Sequence, residues 1–207
     1  ALPMQLSGYE MIEKLGEGGR GVVWKARQIS LDRIVAIKVL PARLANDSSD
    51  VQMFQAEAQM AAKLKHPGIV QIHDANVENG TYFFVMEYVA GYTVGNWMRR
   101  SGALSEEQAL LVVDSVANAL DYAWGTARLV HCDIKPDNVI IDTDGTVKVA
   151  DLGLARTISA MSAQKVPTMI MGTPSYMAPE QVTGDAALDC RTDMYSLGAM
   201  LYHLVTG

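Results

Sequence analysis

The stretch at residues 131–153, HCDIKPDNVIIDTDGTVKVADLG, constrains the fold of this chain most. Its segments NVIID and TVKVA flank Asp144-Gly145, a dipeptide typical of tight hairpin turns, so we predict two short paired strands. Three polar side chains lie around this hairpin: Asp133, Asn138 and Asp151. One of the acids can accept a proton, and the other two groups can hold a divalent cation.

The composition is that of an ordinary globular protein. The 207 residues are 49% hydrophobic and 19% charged, enough for one large or two small cores. A net charge of −6 gives no reason to expect nucleic acid as a partner. Cys132 and Cys190 make no disulfide framework, so we expect a cytoplasmic location. No apolar run approaches the roughly 20 residues of a membrane span, and the start of the chain lacks signal-peptide features.

The first third of the chain predicts antiparallel β-structure. The alternating segment YEMIEKL is broken by the glycine run at 16–21, after which VVWKARQ resumes the pattern. RIVAIKVL is a β-branched run that ends before Pro41. Helix-forming residues at 47–65 predict a helix. Two further strands at 66–89 are joined at Asn79-Gly80, a second hairpin signal.

The remainder of the chain is predicted to be mainly helical. Ser105 and Gln108 form a capping box that opens a helix reaching about Trp124. The segment 193–205 is apolar on nearly every side, which predicts a buried helix.

The glycine run GEGGRG admits two interpretations, a simple tight turn or a lid over nucleotide phosphates. A dinucleotide fold would continue with a helix, and a P-loop would continue with Gly-Lys-Ser/Thr. Here a strand follows, so we predict a hairpin whose backbone N–H groups approach phosphates. Within the apolar run VAIK, Lys38 is either a solvated charge or a buried ammonium paired with Glu57 of the following helix.

Phosphoryl transfer needs metal-held phosphates, an aligned hydroxyl and a local proton acceptor. Asp133 fits the acceptor, while Asn138 and Asp151 offer the hard oxygen ligands that Mg²⁺ prefers. Lys135 can neutralise charge on the transferred group. The alternative is that His131 is a core histidine and that Asp133 and Asn138 merely form turns.

Six motifs occur in the order and spacing of the protein kinase family: GxGxxGxV, VAIK, a helix Glu, HxDxKxxN, DLG and GTPSYMAPE. The chain resembles that family over residues 9–206, in its bacterial branch of eukaryotic-type (Hanks-type) Ser/Thr kinases. The resemblance implies an α+β, two-lobed fold: an N-lobe at 1–86 with an antiparallel sheet and one αC helix, a hinge at 87–90, and a partial, mainly helical C-lobe at 91–207. It implies ATP-dependent phosphorylation of Ser/Thr on protein substrates, including autophosphorylation, with ATP and Mg²⁺ as cofactors.

The resemblance also assigns roles to individual residues. The catalytic set is Asp133, Lys135, Lys38 and Glu57. The ATP-binding set is Gly16, Gly18, Gly21, Val23, Ala36, Lys38, Met86, Glu87, Val89 and Ile140. The metal ligands are Asn138 and Asp151. Thr173 is expected to contact Asp133 and Lys135, and Asp193 is expected to anchor the spine that includes His131.

The chain departs from the family pattern at two positions. Leu152 replaces the usual Phe and keeps an apolar side chain. Cys132 stands where most members have an Arg that binds a phosphate on the activation loop. It is either a small packed residue with no role or a sign that activity depends little on loop phosphorylation. The candidate phosphorylation sites are Thr157, Ser159, Ser162 and Thr168, of which Thr168 is favoured by position.

The resemblance implies further helices after Gly207, so we expect a catalytic domain truncated near the end of the family's αF helix. Either those helices or self-association would cover the apolar face of 193–205. Two alternatives remain open: a nucleotide-binding interaction module without catalysis, and a small-molecule phosphotransferase, against which GTPSYMAPE argues. We expect a cytoplasmic protein, or the cytoplasmic domain of a longer, membrane-anchored one.

Overall fold

The computed structural model describes residues 5–18, 21–45, 47–151, 156–157, 173–183 and 188–207. Within these ranges the side chains at 43, 49, 53, 57, 156 and 157 lie outside the described part. The chain divides into two units, residues 1–63 with 71–88 and residues 64–70 with 89–207.

The first unit is built on a five-stranded antiparallel sheet with strand order β1-β2-β3-β5-β4. Its strands are β1 Tyr9–Gly18, β2 Gly21–Gln28, β3 Arg33–Val39, β4 Ile72–Glu78 and β5 Thr81–Glu87. The β4–β5 connection has left-handed backbone at Asn79 (φ 50°) and Gly80 (φ 75°), the geometry that a two-residue hairpin requires. The second predicted hairpin is therefore confirmed.

Pairing between β1 and β2 continues into the glycine run instead of stopping at its edge. Glu17 pairs with Val22, and Gly18 pairs with Gly21. The hydrogen bonds between paired strands join main-chain groups and need no side chain. Glycines can therefore continue the pairing beyond the point where the alternating sequence pattern ends. The predicted strand–turn–strand hairpin is confirmed, with strands longer than the alternation indicated.

Successive residues of a strand point to opposite faces of a sheet. In this sheet, each of the two faces carries its own cluster of apolar side chains. One face carries Val35, Ile37, Val39, Phe83 and Val85. On the other face, Phe84 packs against Phe54 and Ala58 of helix α2, which spans Ser48–Ala61. The Phe54 and Phe84 ring centroids are 4.9 Å apart. A single turn, α1 Ala42–Ala45, precedes α2.

The second unit is mainly helical. Its helices are α3 Val94–Ser101, α4 Glu106–Ala127, α5 Pro179–Thr183 and α6 Cys190–Thr206. Its strands are β6 Gly91–Thr93, β7 Leu129–Val130, β8 Val139–Asp142, β9 Val147–Val149 and β10 Arg156–Thr157. They pair as β6-β8-β9 and as β10-β7. The β8–β9 hairpin turns through Gly145 (φ 88°), as predicted, and the α+β organisation is confirmed.

Helix α4 begins at the predicted capping box. The Ser105 hydroxyl accepts from Gln108 N at 3.3 Å, and the Gln108 side chain accepts from Ser105 N at 3.1 Å. The helix ends later than predicted, because Arg128 adopts left-handed backbone (φ 49°) and its N–H caps the last turn.

Residues 64–70 belong to the second unit, although the sequence assigns them to the first lobe. Val149 N donates to Gly68 O at 2.8 Å, and Val70 N donates to Val149 O at 2.9 Å. The Lys148 ammonium donates to Pro67 O at 2.9 Å. These bonds attach the segment to β9, so β4 begins only at Ile72. The hinge at 87–90 stays a prediction.

Helix α6 is buried on one face, as expected if the segments before it cover only part of its apolar surface. Its buried residues are Thr192, Asp193, Ser196, Met200 and Leu204. Within the described part of the chain, that face contacts α4, β7 and the turn at Pro174–Tyr176. The opposite face exposes Met194 (66%), Tyr195 (51%), Tyr202 (71%) and Val205 (41%). None of the described helices has the length and apolar character needed to cross a membrane.

Candidate active site

Asp193 of α6 holds the main chain of the loop that follows β7. Its side chain is buried, and its two carboxylate oxygens accept from His131 N at 2.7 Å and from Cys132 N at 2.9 Å. Burial raises the pKa of the Asp193 carboxyl, whereas the nearby His131 and the two amide hydrogen bonds act in the opposite direction. The expected anchoring contact is present.

The His131 side chain joins the two ends of the 131–151 stretch. Asp133 N donates to His131 Nδ1 at 3.3 Å, and His131 Nε2 lies 3.2 Å from Ala150 O. A ring that carries its proton on Nε2 satisfies both bonds. The next residue, Cys132, is buried and adopts left-handed backbone (φ 67°), which is uncommon for a residue with a side chain. This bend directs the chain into Asp133.

The Asp133 carboxylate is held at both oxygens. Its Oδ2 accepts from Lys135 Nζ at 2.8 Å and from Asn138 Nδ2 at 3.1 Å. Its Oδ1 accepts from Thr173 N at 3.1 Å and from Thr173 Oγ1 at 2.8 Å. Lys135 Nζ also donates to Thr173 Oγ1 at 2.7 Å. The expected contacts of Thr173 are thus present, and the direction of the carboxylate is fixed.

Asn138 and Asp151 offer oxygen donors within the second unit. The Asn138 amide nitrogen is used by Asp133, with a 2.8 Å bond to the Asp133 carbonyl, so the amide oxygen is the group that can face a metal ion. Ala150 N donates to Asn138 O at 2.8 Å, which joins Asn138 to the residue before the exposed Asp151. The described residues contain no cluster of three or more His, Cys, Asp or Glu placed for a metal. Two oxygen donors fit Mg²⁺, which binds one or two protein groups together with phosphates and water.

Lys38 lies on β3 of the first unit and is only 4% exposed. Its cross-strand neighbours are Val23 and Phe84, and its Nζ lies 5.4 Å from the Phe84 ring centroid. A ring face attracts a desolvated cation, which partly offsets the cost of burial. Glu57 lies in α2 next to the buried Ala58, and its side chain is outside the described part. The sequence alternative of a solvated lysine at 38 is wrong.

Three residues of the predicted ATP-binding set, Val23, Ala36 and Met86, share a sheet face with Lys38. Ala36 is two residues before Lys38 on β3 and pairs with Met86 of β5. Val23 pairs with Lys38 itself, so period-two alternation places these side chains on one face. Their contact with a nucleotide stays a prediction.

The other members of the predicted ATP-binding set, apart from the glycines, are Glu87, Val89 and Ile140. Glu87 N donates to Gln71 O at 2.8 Å, and a contact of the Glu87 main chain with a nucleotide stays a prediction. In the second unit, Val89 O accepts from Gly91 N at 3.0 Å. Ile140 lies in β8 between its partners Thr93 and Lys148.

Gly21 differs from Gly16 and Gly18 in the space around it. A Cβ on Gly21 would lie 3.0 Å from Val39 O and 3.1 Å from Lys38 Cγ. A Cβ on either of the other two glycines would meet no atom within 4 Å. Gly21 is therefore needed for close packing against the Lys38 stem.

We expect Gly21→Ala to lower the free energy of unfolding by about 1–3 kcal/mol, since an added methyl group must displace a backbone oxygen and a buried stem. Gly16→Ala is the matched control and should be neutral or slightly stabilising, because alanine restricts the unfolded chain. Urea unfolding of both variants without ATP measures the difference. Equal stabilities would contradict the packing role of Gly21.

Several predicted residues fall outside the described part of the chain: Leu152, Ser159, Ser162 and Thr168. Thr157 is described in its backbone alone, where it pairs with Leu129 of β7. Their roles stay predictions.

Sequence reasoning missed two side-chain contacts near the loop, one buried and one partly buried. The Gln181 side chain donates to Cys132 O at 2.8 Å, and the Glu180 carboxylate accepts from Thr192 Oγ1 at 2.8 Å. No motif or spacing in the sequence indicates either contact, because a polar residue in a short helix is usually exposed to solvent. A buried polar side chain in the folded structure is the signal that reveals Gln181.

Comparison with known proteins gives the family. The protein kinase domain model matches residues 9–207. The chain is 38% identical to the serine/threonine-protein kinase PrkC of Bacillus subtilis over 204 residues, which are 98% of this chain and 31% of that protein. It is 39% identical to pkn3 of Myxococcus xanthus, covering 96% of this chain and 38% of the relative. It is 40% identical to PknB of Mycobacterium leprae, and the match covers 96% of this chain and 32% of that protein.

The chain therefore spans about a third of the length of these curated relatives. The family predicted from six motifs is confirmed by the domain match. The chain belongs to the protein kinase family, with the eukaryotic-type serine/threonine kinases of bacteria.

Proposed function

We propose that this chain transfers the terminal phosphoryl group of ATP to Ser and Thr hydroxyls of protein substrates. The observation that carries the proposal is the Asp133 carboxylate, which Lys135, Asn138 and Thr173 fix at both oxygens. A phosphoryl acceptor must be aligned with the phosphorus and lose its proton as the bond forms. A carboxylate held in one direction provides both the alignment and the proton acceptor.

The other polar groups of this network have complementary roles in the proposal. The Lys135 ammonium, which touches both Asp133 and Thr173, would stabilise the charge on the transferred phosphoryl oxygens. Thr173 opens the segment TPSYMAPE, so its bond to Asp133 ties that segment to the acceptor site. We infer that this segment docks the substrate peptide beside Asp133.

ATP and Mg²⁺ are the cofactors that these residues would hold. The Asn138 amide oxygen and the Asp151 carboxylate would be the protein ligands of the metal ion, which neutralises phosphate charge when it is bound. In the first unit, the buried Lys38 would bind the α- and β-phosphates, with Gly16, Gly18 and Gly21 covering them. The preference of kinases for Mg-ATP supports this assignment.

The names of the relatives support protein substrates. PrkC, pkn3 and PknB are each named a serine/threonine-protein kinase. These names give no support to the alternative of a nucleotide-binding module without catalysis.

The deciding experiment incubates the purified chain with ATP labelled on the terminal phosphate, Mg²⁺ and a basic protein substrate. Label on Ser or Thr of the substrate, lost when EDTA removes Mg²⁺, is the expected result. Nucleotide binding is measured in parallel by calorimetry. Tight binding of Mg-ATP without any transfer would overturn the proposal in favour of a binding module.

We also propose that activity depends little on phosphorylation of the activation loop, because Cys132 replaces the usual phosphate-binding Arg and its side chain is buried. Alanine substitution of each candidate site should lower kcat by less than about 100-fold, or about 2.7 kcal/mol. The sites are Thr157, Ser159, Ser162 and Thr168. Thr173→Ala is the positive control, because Thr173 contacts Asp133 directly. A larger loss at any candidate site would contradict the proposal.

The exposed face of α6 supports a prediction of self-association. Tyr202 is 71% exposed, and burying such aromatic side chains between two copies is favourable. Sedimentation should show a concentration-dependent dimer that Tyr202→Glu shifts to monomer. Val77→Glu changes a 54% exposed residue of the first unit and is the control. A monomer at all concentrations would contradict the prediction.

A cytoplasmic location, or a cytoplasmic position within a longer anchored protein, is proposed for the catalytic unit. Cys132 and Cys190 are both free thiols, as expected of a reducing compartment, which also supplies ATP.

A further inference from the structure

The buried Gln181 side chain joins two segments that flank the proposed acceptor site. It lies on α5, is 7% exposed, and uses both ends of its amide. Gln181 Nε2 donates to Cys132 O at 2.8 Å, and Gln181 Oε1 accepts from Ala178 N at 3.0 Å. A buried amide with both ends satisfied is held in one orientation.

The Cys132 carbonyl is part of the peptide group that leads into Asp133. Cys132 has left-handed backbone (φ 67°), a conformation that surrounding contacts must maintain. Asp193 holds its N–H, and Gln181 holds its carbonyl. The following carbonyl, that of Asp133, accepts from Asn138. The orientation of this one peptide plane sets the direction in which the Asp133 side chain leaves the backbone.

The segment from Thr173 to Gln181 is thereby attached to the catalytic loop at two points. Thr173 binds the Asp133 carboxylate, and Gln181 binds the carbonyl of the residue before it. A shift of α5 therefore moves the peptide plane and the carboxylate contact together.

We propose that Gln181 is a positioning residue, which acts through the Cys132 carbonyl to hold the Asp133 carboxylate in line with the acceptor hydroxyl. The proposal rests on the proposed function, because it assigns Asp133 as the proton acceptor. The side-chain hydrogen bonds of Gln181 go to Cys132 and Ala178 and not to the proposed ATP or metal ligands, so we expect it to affect the transfer step and leave ATP binding unchanged.

Two substitutions separate the two bonds of Gln181. Gln181→Leu removes both bonds with little change in volume. Gln181→Glu keeps an acceptor for Ala178 N but cannot donate to the Cys132 carbonyl when ionised. Both variants should lower kcat about tenfold or more, with the KM for ATP within about twofold of the parent. Val182→Ala, at a 50% exposed position of the same helix, is the control and should leave both constants unchanged.

A double-mutant cycle distinguishes positioning from general destabilisation. In the background of Asp133→Asn, whose residual transfer is measured over hours, Gln181→Leu should cause no further loss, because the group that it positions has gone. A further tenfold loss in that background would overturn the proposal. Parent-like kcat in Gln181→Leu and Gln181→Glu would overturn it as well.

Thermal unfolding of each variant completes the test. If Gln181→Leu does not fold, Gln181→Glu provides the measurement, and failure of both to fold would overturn positioning in favour of a purely structural role. An inactive parent protein would refute the proposed function. An active parent with unaffected Gln181 variants would refute this inference alone.

Discussion

Asp133→Asn is expected to lower kcat for peptide phosphorylation by at least about 1,000-fold, or about 4 kcal/mol. Asparagine has nearly the same shape and retains one oxygen, so it can still accept from Thr173 or Lys135. It cannot take the proton of the acceptor hydroxyl. Its NH₂ group is a donor, so it cannot accept the hydrogen bonds that Lys135 and Thr173 donate to the carboxylate. Binding of Mg-ATP should change little, because the proposed phosphate and metal ligands are other residues.

Asp137→Asn is the matched control for this substitution. Asp137 is an acid of the same loop, and its side chain is 52% exposed and paired with Arg99 at 2.7 Å. Exposed ion pairs contribute little, so its loss should change kcat by less than about threefold. Initial rates at saturating ATP and peptide give kcat, and calorimetry gives the nucleotide affinity. Comparable activity in Asp133→Asn and the parent would remove Asp133 from the mechanism.

Local signals in the sequence were sufficient for most of the secondary structure. The turns at Asn79-Gly80 and Gly145 and the capping box at Ser105 are each determined by residues within three positions of one another. Such features depend on backbone preferences and short-range hydrogen bonds, which can be predicted from the local sequence. The strand ends at Gly18 and Ile72 were less predictable, because they depend on pairing with distant segments.

Tertiary contacts decided the features that the sequence could not predict. Residues 66–70 were predicted as the start of a strand, yet Val149 and Lys148 attach this segment to the second unit through main-chain oxygens. The apolar pattern of α6 indicated a buried helix, but it could not show which face the described residues cover. Motif order predicted the contacts of Thr173 with Asp133 and Lys135 and the anchoring of the His131 main chain by Asp193. The contact of Gln181 with the Cys132 carbonyl was not predicted, because main-chain acceptors have no sequence signature.

The second large effect is expected for Lys38→Met, which should lower kcat/KM by about 100–1,000-fold, the range for removing one preorganised charge partner of the transition state. Methionine keeps an unbranched stem between the neighbours Val23 and Phe84. The folded first unit should therefore persist, and circular dichroism of the variant should match the parent. The lost rate then reports the missing ammonium and not a missing fold.

Lys25→Met is the matched control, because Lys25 lies on the adjacent strand β2, where its side chain is 25% exposed and pairs with Glu13. That substitution removes the same charge from the same sheet, so any effect of net charge on ATP attraction appears in both variants. If kcat/KM falls in Lys38→Met and not in Lys25→Met, the loss is due to the buried ammonium of Lys38. Equal losses in the two variants would mean that long-range charge, and not a phosphate contact at Lys38, accounts for the effect.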